Sequence, residues 1–443
     1  MLKTFKLGGV HPPDYKISAG KAIETLPLPK SVFIPVAQHI GAPATPLVKR
    51  GDEVKAGQVI AKSSSFVSTN IHSSVSGKVK RVDFSADSSG YPKQGMLIDV
   101  EGDEWLEGID RSEDLVKDFN LDGQQVIEKI RDAGIVGLGG ATFPTHVKLV
   151  PPKGMKADII LINGVECEPY LTSDHRLMLE KTDEILVGTR LLMKALGVEK
   201  AVIGIENNKQ DAIELFTEKT RNIPGISVVA LKVKYPQGGE KQLIKAVTGK
   251  EVPSGGLPIA VGAVVSNVGT AFAVYEAVQK NKPLMERIVT VTGKEVEKPS
   301  NFKVRIGTPT QALIEAAGGL PENTGKIVSG GPMMGRAVPS ADVPVTKGTS
   351  GILIVPEKEA KRNEAITCIR CSRCVSSCPM GLEPYLLKKL SEKQIFDRAE
   401  EDKIMDCIEC GSCSFTCPSN LPLLDYIRLG KKEVGRIIRS RKK

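Results

Sequence analysis

Eight of the chain's nine cysteines fall into two copies of one spacing. They are Cys368, Cys371, Cys374 and Cys378 followed by Pro379, then Cys407, Cys410, Cys413 and Cys417 followed by Pro418. The run C-x2-C-x2-C-x3-C-P constrains the last quarter of the chain more than any hydrophobic pattern does. Three thiolates on one tight turn can hold three corners of a cubane, while the fourth cysteine, set apart by its proline, reaches the other cubane. The spacing therefore predicts two [4Fe-4S] clusters with crossed ligation. Cys378 completes the set of Cys407, Cys410 and Cys413, and Cys417 completes that of Cys368, Cys371 and Cys374. A zinc site needs four ligands closing on one ion, which a three-plus-one pattern does not supply. A disulphide scaffold belongs to short secreted chains, not to one of 443 residues.

Length and charge bound what surrounds the clusters. A chain of 443 residues exceeds one core and predicts three or four domains. Residues 1–6 lack the apolar run of a signal peptide, which predicts cluster assembly in a reducing cytoplasm. Residues 259–275 carry no charge, but Gly262, Asn267 and Gly269 interrupt a stretch already short for a bilayer. They read as buried strand, turn and helix. The net charge is +9, and eight Lys or Arg between residues 428 and 443 face only Glu433. Such a segment is either a solvated tail or a cationic arm for anionic lipid or an acidic partner protein. Nothing in it calls for nucleic acid.

Residues 31–100 read as short β-branched runs between Gly and Ser turns, in two similar halves around Gly51, Gly57 and Gly77. They resemble the barrel-sandwich module of lipoyl and biotinyl carriers, but the apex, residues 63–70, has no lysine to acylate. A docking or scaffold module is expected. From residue 124 the period changes to that of a helix through residue 133, which runs into a loop with Gly134, Gly137, Gly139 and Gly140. Amides there can approach a phosphate or planar ring without Cβ obstruction. The dinucleotide fingerprint would need glycine at Thr142. Strands at 158–163, 200–206 and 226–233 then alternate with helices at 183–196 and 211–220, the pattern of a parallel α/β sheet. Ligands bind such sheets at the carboxyl ends of strands, where Asn163, Gly164, Val165, Glu166, Cys167 and Glu168 lie.

Four motifs follow in order: Gly137-x-Gly139-Gly140-Ala141-x-Phe143-Pro144-Thr145-x-x-Lys148; Asn163-Gly164-x-Glu166-x-Glu168-Pro169; Gly238-Gly239-Glu240; and Asn267-Val268-x-Thr270. Together they resemble the flavin and NADH site of the NADH-binding flavoprotein subunit of respiratory complex I. With the lipoyl-like module in front and the cysteine runs behind, nearly all of the chain is similar to the C subunits of the Rnf ion-translocating ferredoxin:NAD oxidoreductases. The resemblance implies FMN cradled by Gly137, Gly139, Gly140 and Ala141, with Lys148 near its phosphate or ring edge. It implies Asn163 and Glu166 on the isoalloxazine and ribityl groups, and Gly238, Gly239 and Glu240 on the nicotinamide side. Asn267 and Thr270 would contact the phosphate, Phe143 would stack on adenine, and Glu168 would bind ribose hydroxyls. Val165 and Cys167 stand where complex I has aspartate and serine, so the hydrogen bonding beneath the flavin must differ. Cys167 itself reads as a small buried thiol.

The expected fold is multidomain, α/β and α+β. A β barrel-sandwich (lipoyl-like) module over residues 1–105 precedes a Rossmann-like FMN- and NAD(H)-binding domain over 106–284. A β-grasp (SLBB-type) module covers 285–356, its turn at Gly330, Gly331, Met333 and Met334 open between packing and a ligand site. An α-helical, bacterial-ferredoxin-type 2x[4Fe-4S] domain with a charged linker and a basic tail covers 357–443. NAD exchanges two electrons as hydride and a cubane accepts one; a flavin converts between them. No protein nucleophile is needed, and His11, His39, His72, His146 and His175 show no metal spacing. The resemblance implies reversible electron flow from a partner redox protein through both clusters and FMN to NAD+, with no catalytic side chain. The subunit would be peripheral, on the cytoplasmic face of the cell (inner) membrane. Its partners would be an iron-sulphur subunit, integral membrane subunits and, indirectly, ferredoxin. The alternatives are a soluble cobalamin reductase of a bacterial microcompartment and a non-catalytic electron-wiring subunit.

Overall fold

The computed structural model describes residues 2–441. The sandwich begins at residue 31, where Val32 and Ile34 alternate inward along the strand Ser31–Pro35. This strand, Pro92–Val100, Gly77–Ala86 and Glu53–Val54 form one sheet, and Thr45–Pro46, Val59–Lys62 and Ile71–His72 form the other. The apex without a lysine is docked. The Phe66 carbonyl meets His146 Nε2 at 3.3 Å, and Asn70 Nδ2 donates to the Asp132 carbonyl at 3.3 Å. The neighbouring Ile40 amide donates to the Thr142 carbonyl at 3.3 Å. All three partners lie on the glycine-loop side of the next unit.

Residues 2–27 lie outside the two sheets of the sandwich, and Leu28 and Lys30 join it, Leu28 on its core and the Lys30 carbonyl accepting from Val100 N at 3.0 Å. Residues 2–27 run as a strap, bridging Lys3 to Leu231 and Val10 to Tyr235, then adding the strand Ile23–Thr25 parallel to Ser300–Arg305. At Gly8, φ is +65° and a Cβ would lie 2.4 Å from the Cys378 carbonyl carbon, so glycine alone fits.

In the α/β unit the helix Gly123–Asp132 starts with a capping box between Asp122 and Gln125. The strands Ile159–Gly164, Ala201–Glu206, Ile226–Leu231 and Ala263–Asn267 are all parallel, in the spatial order third, second, first, fourth. Helices Thr182–Leu196 and Val268–Gln279 pack so closely that a Cβ on Gly188 would sit 1.9 Å from the Ala271 carbonyl oxygen. The uncharged stretch becomes a 3-10 turn, Pro258–Val261, then the fourth strand and the start of its helix. Among the described residues no helix is long and apolar enough to cross a membrane.

A six-stranded mixed sheet follows, with Ser300–Arg305, Glu286–Thr292, Gly351–Pro356, Thr324–Ser329 and Arg336–Ala337 after the strap's strand, and the helix Thr310–Ala316 beside it. Its core is built on Val289, Val291, Phe302, Leu313 and Ile354. The expected linker begins as a helical turn, Glu357–Ala360, laid against Gly325, where a Cβ would meet Ala360 Cβ at 2.6 Å. The last unit repeats itself: each cysteine turn leads into a short helix, Arg373–Ser376 or Ser412–Phe415. The basic tail is helical over Leu423–Arg441, its apolar side, Leu423, Leu424, Ile427 and Val434, buried. Residues 442 and 443 lie outside the described residues.

Candidate functional site

Strand order reverses between Ile159–Gly164 and Ala263–Asn267, and open parallel sheets bind ligands at the carboxyl ends of strands at such a point. Asn163 and Asn267 are register partners there. Over them lies the glycine loop. The Leu138 amide donates to Thr270 Oγ1 at 2.9 Å, and a Cβ on Gly139 would meet Asn267 Cβ at 2.9 Å. Gly137 closes the loop's base by donating to the Phe143 carbonyl at 2.9 Å. Beyond it Gly139, Gly140 and Ala141 are exposed, and Gly140, with φ +155°, faces open space. Phe143 is half-buried beside them.

The third strand's end enters through Gly238. Its carbonyl accepts from Asn163 Nδ2 at 2.9 Å, and its amide lies 3.3 Å from Cys167 Sγ. Gly239 precedes the helix Glu240–Thr248, which has no side-chain cap. Lys148 Nζ reaches Glu240 Oε1 at 2.7 Å and the Val265 carbonyl at 2.8 Å, across the mouth of the crevice. The expected residues Gly137, Gly139, Gly140, Ala141, Lys148, Asn163, Gly238, Gly239, Glu240, Asn267 and Thr270 are thus gathered at one switch point.

Several side chains have partners other than those expected. Asn267 caps its own helix, accepting from Gly269 N at 2.8 Å and Thr270 N at 3.3 Å, and donates to Asp174 Oδ2 at 2.7 Å. With Thr270 under Leu138, this pair supports the loop. Glu166, at φ +45°, accepts from the amides of Asp174 at 2.7 Å and His175 at 3.2 Å, capping the helix Ser173–Glu180. Glu168 Oε1 accepts from Met333 N at 2.7 Å and Met334 N at 2.9 Å. A Cβ on Gly331 would lie 2.1 Å from Glu168 Cγ, so this carboxylate fills the glycine and methionine turn. Burial pushes its pKa up, against those two amides.

Sequence reasoning missed the groups beneath. Lys16, on the strap, donates to the carbonyls of Glu166 at 2.8 Å, Glu168 at 3.0 Å and Leu171 at 2.7 Å. Lys209 Nζ donates to the Val165 carbonyl at 2.8 Å, its pKa drawn down to about 8 by burial. Burial raises Asp174 to about 7, with Glu166 adding to it, and lowers Arg287 to about 10. Arg287 holds the Thr349 carbonyl at 3.1 Å and lies 3.4 Å from that of Leu138. Lys16 and Arg287 come from outside every motif, so no local signal marks them. An open glycine cradle, an uncapped helix start and cations beneath suit a flat, phosphate-bearing ligand such as FMN.

The structure brings four of the cysteines into one cage, and the two runs predict a second from the other four. Cys378, Cys407, Cys410 and Cys413 line one apolar cavity with Leu382, Leu387 and Ile427. Burial first, then the neighbouring thiols, push Cys413 up to about 12, and burial raises Cys407 to about 11. Four thiols so placed ionise together only if a cation core compensates them. Among the described residues no three His, Cys, Asp or Glu side chains converge on a single-ion site. Four thiols lining one shared space suit a cubane. In the other cage Cys374 is raised by burial and by Cys417 beside it, while Cys368 and Cys371 are exposed. The inner cage meets the α/β unit directly. Tyr235 donates its hydroxyl to the Cys410 carbonyl at 2.8 Å, and Val10, Tyr235 and Cys410 share a small core with Cys167 and Met333.

Four family models match successive parts of the chain: an RnfC barrel sandwich hybrid domain over residues 3–103, a Nuo51 FMN-binding domain over 130–276, an SLBB domain over 288–337 and a 4Fe-4S dicluster domain over 360–418. The chain is 49% identical to the C subunit of the proton-translocating ferredoxin:NAD(+) oxidoreductase complex of Clostridium ljungdahlii, over 91% of this chain and 87% of that one. It is 45% identical to the C subunit of the Na(+)-translocating ferredoxin:NAD(+) oxidoreductase complex of Acetobacterium woodii, over 97% of both. With the C subunit of the ion-translocating oxidoreductase complex of Rhodobacter capsulatus the identity is 41%, over 97% of this chain and 83% of that one. The chain belongs to the family of C subunits of the Rnf ion-translocating ferredoxin:NAD+ oxidoreductases.

Proposed function

We propose that this chain is the NAD(H)-oxidising and -reducing subunit of a multisubunit ion-translocating complex, passing electrons between two [4Fe-4S] clusters and NAD(H) through FMN. The observation that carries this reading is the inner cysteine cage hydrogen-bonded, through Tyr235 and the Cys410 carbonyl, to the end of the sheet that bears the glycine cradle. When bound, the flavin exchanges hydride with nicotinamide and single electrons with iron-sulphur centres. The protein's part is positioning. Gly137, Gly139, Gly140 and Ala141 leave room for the flavin and its phosphate, and the helix start at Gly239 and Glu240 favours negative charge. Asn163 fixes Gly238 against the first strand, and Phe143 offers the nucleotide an aromatic face. Cys368, Cys371, Cys374 and Cys417 would hold the solvent-side cluster and Cys378, Cys407, Cys410 and Cys413 the inner one, each supplying single-electron exchange.

We assign residues 1–105 to the barrel-sandwich module with its strap, 106–284 to the nucleotide domain, 285–356 to the β-grasp module and 357–443 to the cluster domain. The protein sits peripherally on the cytoplasmic face of the membrane, against an iron-sulphur subunit and integral subunits, and ferredoxin supplies it indirectly. The purified full chain, loaded with iron and sulphide, should oxidise NADH with ferricyanide only after FMN is added. If no flavin is retained and no NADH is oxidised, the reading fails. High-salt washing should release the protein from membranes; recovery with microcompartment shells would overturn its placement in the complex.

A further inference from the structure

The basic C-terminal segment is a wall, not a free arm. Helix Leu423–Arg441 and Arg336, on the edge strand Arg336–Ala337 of the β-grasp module, line a wide, solvent-open cleft between two units of the chain. On the helix side stand Arg428, Lys431, Lys432 and Arg439, and the only carboxylate in the lining is Glu409. Glu409 is already shared, 3.2 Å from Arg428 and 3.1 Å from Lys431. Arg336, Lys432 and Arg439 have no carboxylate partner among the described residues. The cleft has an excess of fixed positive charge that no carboxylate among the described residues meets. Its back touches the electron path, because Lys431 Nζ also donates to the carbonyl of Cys407, an inner-cage cysteine, at 2.6 Å.

We propose that this cleft docks an acidic polypeptide segment of a partner protein, held by carboxylates against Arg336, Lys432 and Arg439. Two observations select a polypeptide over a lipid surface. A helix that lies on a bilayer inserts an apolar face, and here Leu423, Leu424, Ile427 and Val434 are already buried in the cluster domain. The rim offers separate apolar contacts instead, with Met405 42%, Met334 47% and Leu429 51% exposed. Arginine and methionine are both enriched in protein interfaces. Because the walls belong to two units, an occupant would clamp the β-grasp module to the cluster domain. The proposal does not depend on flavin binding or on the direction of electron flow.

The test uses the full chain loaded with iron and flavin and a fluorescein-labelled oligoglutamate peptide followed by anisotropy. The wild-type chain should bind at low ionic strength and release the peptide as salt rises. The double reversal Lys432→Glu/Arg439→Glu should weaken binding at least about tenfold, and Arg336→Glu, in a different unit, at least about threefold. Arg436→Glu reverses a charge on the same helix outside the cleft and should change binding by less than about twofold. Iron and flavin content unchanged from wild type establishes that each variant is folded. Failure of the wild-type chain to bind the peptide overturns the proposal, as does equal loss in Arg436→Glu, which would mean diffuse charge. It is also overturned if vesicles of phosphatidylglycerol and phosphatidylcholine, and not the peptide, bind in a cleft-dependent way.

Discussion

The two cysteine cages are written in one spacing, yet they occupy opposite environments. Around Cys368 and Cys371 the chain is exposed; around Cys378, Cys410 and Cys413 it is buried. The backbones match, with left-handed residues at equivalent places, Arg370 and Ser372 in one run, Glu409 and Gly411 in the other. What differs is what packs on them. The strap's Gly8 and Gly9 press on residues 377 and 378, while Tyr235 and Met333 press on 410 and 411. Local sequence thus sets the ligand geometry, and distant segments decide which cluster meets solvent. That burial bears on potential and on electron order together, since solvent access is one of the terms tuning a cluster.

The largest effects should come from breaking the crossed ligation. Cys378→Ser and Cys417→Ser should each lower bound iron from about eight to about four per chain. In Cys378→Ser the surviving cluster is the exposed one and should lose iron quickly to a chelator; in Cys417→Ser the survivor is buried and should resist. Iron in the Cys378→Ser chain that resists chelation would show ligation within each run. In the wild-type protein, chelator should remove iron in two phases of roughly equal size, with rates at least about tenfold apart if burial governs access. A single phase would mean that the cages do not differ in solution.

A smaller effect should separate Gly411 from Ser372, the same position in the two repeats. A Cβ on Gly411, at φ +79°, would lie 2.8 Å from the Met333 carbonyl oxygen. Gly411→Ala should therefore cost about 1–3 kcal/mol in thermal or denaturant unfolding. Ser372, at φ +59°, is exposed, and Ser372→Gly should change stability by no more than about 1 kcal/mol. Equal losses would remove the distinction between a pressed turn and a free one.

The same division governs what the sequence could disclose. The parallel strands, the helix 182–196 and the cysteine turns declare themselves through period and spacing, and each lies within a residue or two of where its pattern places it. The uncharged stretch 259–275 resolves into turn, strand and helix because Gly262 and Asn267 punctuate it. The support of the site is another matter. Lys16 holds carbonyls 150 to 155 positions away, and Glu168 meets Met333 165 positions away. No periodicity records such pairs. Motif resemblance named residues that the fold gathers at the crevice, but gave no sign that the polar atoms of Asn267, Glu166 and Glu168 hold helices and a turn in place.

The smallest expected effect probes the seam itself. Tyr235→Phe removes one hydroxyl and with it the 2.8 Å bond to the Cys410 carbonyl, leaving the ring in its core with Val10 and Cys167. One neutral hydrogen bond contributes about 0.5–1.5 kcal/mol, so unfolding should shift by that much and no more. The informative readout is spectroscopic. The carbonyl belongs to an inner-cage ligand, so its altered hydrogen bonding should change the electron paramagnetic resonance signal of the inner cluster and leave that of the exposed cluster alone. Matching changes in both signals would point to a general loosening of the domain. If neither signal changes while stability falls, Tyr235 fastens the two units without tuning the cluster between them. The comparison of the cages would then rest on burial alone.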